Sequence, residues 1–205
     1  MIWGVGTGRC GTKSLAKHLK GEHEPKPWFT DRPRKWYDGT ITVQGIRDLE
    51  NAMKARAKLD TPIIVDFKQS YIMDYIISFV DPDASFIWVI REPVACVSSM
   101  VAGKWYGETD GNGENLLTPP DSTWDRFIKC IWYYNTVNEE IYRHKDHIKA
   151  VHLTEELPVW ENKYPIRDTS LWANEKGLHR WREGSCDIYT KALELKQEIS
   201  NDSTP

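Results

Sequence analysis

The sequence lacks a C-x-x-C pair, an apolar run near the length of a membrane span, an internal repeat and an excess of one charge. Each absence excludes something. The cysteines Cys10, Cys96, Cys130 and Cys186 stand far apart, so reduced thiols are expected and a disulfide framework or zinc site is not. A membrane helix needs about 20 consecutive apolar residues, and without one no stable membrane insertion is expected. The start, "MIWGVG", carries no basic region followed by a cleavable apolar segment, so a cytoplasmic protein is expected. A formal net charge of −3 gives no general reason to bind nucleic acid, although a basic site can sit inside an acidic average.

What is present fits one globular domain. The chain has 205 residues, 40% of them apolar and 28% charged, enough for a real core and short for two domains, so a single domain over 1–205 is expected. Ten tryptophans is a high count. Two uses are open for them: aromatic core packing, or the lining of a pocket for a sugar or a flat apolar substrate.

Short apolar runs alternate with helical periodicity. Strands are expected at Ile2 to Val5, in "TPIIVDF", at Ser85 to Ile90 and in "HIKAVHL". Helices are expected at Thr12 to Lys20, Ile46 to Leu59, Tyr71 to Phe79, Val94 to Ala102, Thr123 to Arg143 and Ser185 to Ile199. Glu22 to Thr40 holds three prolines and reads as mostly loop. Strands that are continuous apolar runs imply a parallel sheet covered on both faces. The expected class is therefore a three-layer α/β/α sandwich with a mainly parallel sheet. In such sheets ligands lie beyond the carboxyl ends of the strands, where the glycine loop, Asp66 to Lys68 and Arg91 should meet.

"GVGTGRCGTKSL", Gly4 to Leu15, joins the first strand to the first helix. Glycines there let backbone N–H groups face one concavity, and a helix start adds partial positive charge, a cradle for phosphate or sulfate oxygens. The NTPase pattern G-x-x-x-x-G-K-[ST] is not met. Gly6 and Gly11 have the right separation, but Thr12 follows, and the lysine comes one position late at Lys13, before Ser14. One helical step turns a side chain by about 100°, so Lys13 does not replace the missing lysine. The charge placed to face an anion is Arg9.

This loop resembles the 5′-phosphosulfate loop of sulfotransferases, G-x-x-[RK]-S-G-T-[TS]-x-L, with Cys10 where serine is usual and Lys13 where threonine or serine is usual. A second motif strengthens the resemblance. In "FIWVIREPVACVSSM", Ser99 lies eight residues after Arg91, similar to the R-[DN]-P-x-x-x-x-x-S element of that family, with Glu92 in place of Asp or Asn. "AVHLTEEL" and "GLHRWREG" resemble two further family segments. The resemblance implies a P-loop nucleoside triphosphate hydrolase-like fold and 3′-phosphoadenosine 5′-phosphosulfate as donor. Gly8, Arg9, Cys10, Gly11, Thr12, Lys13 and Ser14 would hold the 5′ end, and Arg91 and Ser99 the 3′-phosphate. Gly177, Arg180 and Trp181 would touch or cover that phosphate.

The resemblance further implies in-line attack of an acceptor hydroxyl or amine on sulfur, with no metal required. Arg9 and the loop N–H groups would stabilise the developing charge. A base must take the acceptor proton, and "EHEP" offers His23 and Glu24; imidazole titrates near neutrality, whereas Glu24 would need burial. Lys68 is placed to contact donor sulfate or acceptor. Lys26, Arg32, Arg34 and Lys35 belong to a basic aromatic stretch beside the expected acceptor pocket. The acceptor itself stays open among small molecules, carbohydrates and lipids. Two other classes stay open as well. One is a P-loop small-molecule kinase using ATP and Mg, with Asp66 and Thr12 or Ser14 on the metal; the other is a non-catalytic nucleotide-binding protein.

Overall fold

In the computed structural model of the chain, residues 1–25, 32–107, 116–157 and 179–202 are described, with side chains in the last range from residue 183. The apolar runs become the sheet. Strands β1 (Ile2–Val5), β2 (Glu22–His23), β3 (Ile63–Val65), β4 (Ser85–Ile90) and β5 (Ile148–Leu153) pair in the order β2-β3-β1-β4-β5. Every pairing is parallel. The central strands β1 and β4 bury almost every residue, which is why they read as unbroken apolar runs. Gly4 pairs with Val65 on one side and Ile87 on the other. A Cβ at Gly4 would lie 2.6 Å from a Val65 methyl, so only glycine lets these strands and their side chains close up.

Helices pack on this sheet: α1 (Thr12–His18), α2 (Arg32–Tyr37), α3 (Val43–Ala57), α4 (Met73–Tyr75), α5 (Pro93–Ala102), α6 (Arg126–Arg143) and α7 (His179–Asp202). The arrangement is α/β with a five-stranded parallel sheet, consistent with a sandwich. Trp3, Trp88, Tyr133 and Tyr134 are fully buried, and Trp105 nearly so, which puts these tryptophans in the core. The indole N–H of Trp88 donates to Asn138 Oδ1 at 3.2 Å, so this tryptophan enters the core with its polar atom satisfied. No helix of the described residues is long and apolar enough to cross a membrane.

Local chemistry moves several boundaries from where periodicity puts them. Glu22 to Thr40 is not all loop. Glu22 and His23 pair with Ile64 and Val65, a tertiary contact that local proline content does not reveal, and α2 forms at Arg32–Tyr37. Tyr71 to Phe79 is not one helix. Asp66 caps a 3₁₀ turn over Phe67–Tyr71, Ile72 breaks it at φ −131°, and a short α4 runs into a π turn over Ile76–Val80. Helix α6 starts later than Thr123 because Asp121 holds Thr123 in a turn through its backbone N–H and hydroxyl, while Asp125 caps the helix at Ile128. Helix α7 starts earlier than Ser185, so the "HRWREG" stretch opens a helix.

Candidate functional site

Because the strands are parallel, their carboxyl ends share one edge. The loop Gly6–Gly11 leaves β1, Glu24 leaves β2, Asp66 leaves β3, Arg91 leaves β4 and Thr154 leaves β5. Strands β1 and β4 are neighbours, but the chain runs from β1 outward on one side and from β4 outward on the other. That is the topological switch point, where a crevice opens. The loop after β1 and Arg91 after β4 flank it.

The loop is shaped by left-handed backbone. Gly8 has φ 67°, Arg9 φ 53° and Gly11 φ 97°. Arg9 adopts this region without being glycine, which is a local strain held by its neighbours. Several hydroxyls hold it. Ser70 Oγ accepts from Gly6 N at 3.0 Å and donates to Gly6 O at 2.9 Å. Thr154 Oγ1 contacts the Cys10 carbonyl and lies 3.1 Å from the Ile90 carbonyl, joining the loop to the end of β4. Gly11 would place a Cβ 2.9 Å from Thr154, so glycine is required there by space as well as by φ. Trp105 closes the other side, with its ring 2.9 Å from where a Gly8 Cβ would stand.

The two sequence motifs meet directly. Arg9 Nε donates to Ser99 Oγ at 3.3 Å, and Arg91 Nη1 donates to the Arg9 carbonyl at 3.3 Å. Arg91 and Ser99 are both buried, and Ser98 is only half-buried, so the helix phase turns Ser99 toward the loop. Tyr134 holds the Arg91 carbonyl at 2.9 Å. Glu92, where the motif expects Asp or Asn, caps α5 through both oxygens, accepting from Val94 N at 3.0 Å and Ala95 N at 2.8 Å. The longer acid therefore keeps the capping role.

Other expected residues fall differently. The Cys10 thiol is buried against Gly6, and burial pushes its pKa up; what Cys10 can turn to a ligand is main chain, not sulfur. Lys13 is exposed and Ser14 half-buried, as the helical step requires of a lysine that does not take the Walker position. Arg180 and Trp181 fall in the first turn of α7, and their side chains lie outside the described residues, as do Lys26 and Gly177. Arg32 belongs to α2 and pairs with Asp48 at 3.0 Å; Arg34 and Lys35 lie on the same helix.

Two candidate bases lie side by side. His23 Nε2 is 3.2 Å from Thr12 Oγ1 and 3.8 Å from Glu24 Oε1. Burial pulls the His23 pKa below its ordinary 6.5, helped by the charges of Lys13 and Lys68 against the opposing pull of Asp66. His23 is therefore neutral near pH 7 and able to accept a proton. Burial raises the Glu24 pKa, and repulsion from Asp66 raises it further. Lys68 is nearly buried, with Nζ 5.5 Å from the Phe67 ring centre, and burial lowers its pKa.

Sequence reasoning missed the residue that braces this edge. Arg56, on α3, is fully buried and pairs with Asp66 Oδ2 at 2.9 Å. It also donates to the Pro25 carbonyl at 3.1 Å. The Gln69 carboxamide, with its oxygen toward Arg56 Nη1 and its nitrogen toward the Gly4 carbonyl, continues the network at 3.2 Å on each side. The ends of β1, β2 and β3 are thus tied through one guanidinium. Asp66 uses its second oxygen to accept from Lys68 N at 3.0 Å. Both carboxylate oxygens are engaged inside the protein, a poor disposition for a magnesium ligand.

What the edge can do chemically follows from its composition. Two guanidinium groups, a buried hydroxyl and a left-handed loop lie together at this edge, and the His23 imidazole joins the same loop through Thr12; groups of this kind favour an anion. No family model, curated protein or solved structure matches this chain, which leaves the site to be read from its own residues.

Proposed function

We propose that the chain is a sulfotransferase of P-loop type that moves a sulfuryl group from 3′-phosphoadenosine 5′-phosphosulfate to a hydroxyl or amine. The observation that carries this reading is the 3.3 Å hydrogen bond from Arg9 to Ser99. It brings the loop motif and the second motif to one edge of the sheet, close enough for a single nucleotide to meet both. A kinase needs no such pairing, and its magnesium aspartate would be Asp66, which is committed to Arg56 and the Lys68 N–H.

In this reaction the acceptor oxygen or nitrogen forms a bond to sulfur as the bond from sulfur to the bridging oxygen breaks. The nucleotide leaves as adenosine 3′,5′-bisphosphate with the electron pair. The acceptor proton passes to His23 or Glu24. Arg9 meets the charge that grows on the sulfuryl and bridging oxygens, and Arg91 with Ser99 holds the 3′-phosphate. Lys68 contacts the donor sulfate or the acceptor in this scheme. The acceptor is a small molecule, a carbohydrate or a lipid.

Thermal unfolding separates this from the kinase. Adenosine 3′,5′-bisphosphate without metal should raise the melting temperature, because a ligand bound to the native state alone stabilises it. Stabilisation by ATP with magnesium alone would reject the sulfotransferase.

The base is tested by pH. The acid limb of kcat/KM should lie below 6.5, since burial favours neutral His23 and the limb marks loss of the neutral form. Glu24 shifts upward from 4.5, so the position of the limb does not separate the two groups. Substitution does. His23→Gln should lower kcat by about 10²-fold or more and remove the limb, the usual contribution of a general base. A limb unchanged in His23→Gln assigns the base to Glu24.

A further inference from the structure

The hydroxyl between the loop and the imidazole has a consequence for which ring nitrogen is basic. Thr12 Oγ1 is 3.2 Å from His23 Nε2, and among the described residues this is the hydroxyl's one hydrogen bond. A hydroxyl has a single proton to donate, while a neutral imidazole carries its proton on either nitrogen. With the loop empty the bond can run either way. An anion in the loop is an acceptor only. If it takes the Thr12 proton, Thr12 can face His23 only as an acceptor, and Nε2 must then carry the hydrogen.

We propose that Thr12 couples anion occupancy of the loop to the tautomer of His23, making Nδ1 the basic nitrogen once the donor nucleotide is bound. This rests on the sulfotransferase reading for the identity of the anion. The Glu24 carboxylate, 3.8 Å from Nε2, is too far for a hydrogen bond but favours a proton on that nitrogen by charge, in the same direction. No hydrogen-bond partner for Nδ1 occurs among the described residues, so that nitrogen is not committed by them. The ring is 30% exposed and exchanges with water: one proton leaves Nδ1, another arrives at Nε2, and the net charge is unchanged. Thr12 is thus a positioning residue. It keeps the base in the wrong or mixed form until there is a donor to use.

Nitrogen-15 NMR of the imidazole rings reads this directly, at a pH above the ordinary imidazole value so that His23 is neutral. The His23 signals are identified by their loss in His23→Gln. Saturation with adenosine 3′,5′-bisphosphate should move Nε2 to the protonated range and Nδ1 to the unprotonated range. Thr12→Ser keeps the hydroxyl and should keep the change; Thr12→Val, close in shape, should lose it at saturating ligand. Binding is followed separately by tryptophan fluorescence. Ring nitrogens that stay put in the bound protein, or that move equally in Thr12→Val, overturn the coupling alone. Failure of the bisphosphate to bind overturns the coupling and the sulfotransferase reading together.

Discussion

Arg9→Ala should lower the turnover of sulfuryl transfer by about 10²- to 10³-fold, the usual effect of removing one positioned donor from a developing oxyanion. Arg9 is held at φ 53° with its carbonyl under Arg91 and its Nε on Ser99, so the guanidinium is fixed before any substrate arrives. A donor that is already oriented needs no reorganisation when charge appears, which is why its loss is large in kcat. Arg9 already carries about 1 kcal/mol of left-handed strain, and alanine keeps it while losing the side-chain bond to Ser99, so the loop can relax and add to the effect. Arg9→Gly removes the same guanidinium and relieves that strain. Single-turnover rates at saturating donor should fall together in both variants. A decrease below about threefold in Arg9→Gly would remove Arg9 from the chemistry.

Arg56→Ala should destabilise the protein by about 3–5 kcal/mol, read from the urea midpoint, because it leaves the fully buried Asp66 without its counter-charge. Against a typical total of about 5–15 kcal/mol this is a large share. The same change frees the Pro25 carbonyl and the Gln69 oxygen, and so loosens the strand ends that carry His23 and the loop. Asp66→Asn should lose less, since it keeps the shape and a neutral acceptor. Replacing the pair together with apolar residues of similar volume should recover part of the loss, as buried ion pairs often allow. A loss below about 1 kcal/mol in Arg56→Ala would mean that water reaches the pair and solvates it.

Much of the sheet was legible. Strands β1 and β4 announce themselves as unbroken apolar runs because both their faces are covered. The loop was legible because its glycines and Arg9 adjoin in sequence, and Arg91 because it stands at a strand end. What stayed hidden is non-local. Arg56 reads as one more charge on a helix; its partner Asp66 comes from the next strand, and only packing brings them together. Strand β2 is two residues long and exists through its pairing with β3. The hydroxyls of Ser70 and Thr154 support the loop from remote parts of the chain, and nothing in their local sequence marks that role. The π turn at Ile76–Val80 likewise has no local signature, since the same apolar spacing fits an ordinary helix. Ser99 is the instructive case, because spacing named it and helix phase, visible only in three dimensions, chose it over Ser98.

Equilibrium binding of two nucleotides, without metal, tests the donor site most directly. Adenosine 3′,5′-bisphosphate should bind at least about 10- to 100-fold tighter than adenosine 5′-monophosphate, since each hydrogen bond from a charged group to the 3′-phosphate contributes about 1.5–3 kcal/mol. Arg91→Ala should bring that ratio close to one. Any loosening of the loop by the substitution affects both ligands alike and cancels in the ratio. Equal affinities in the unaltered protein, or a preference that survives in Arg91→Ala, would contradict a nucleotide held at both ends.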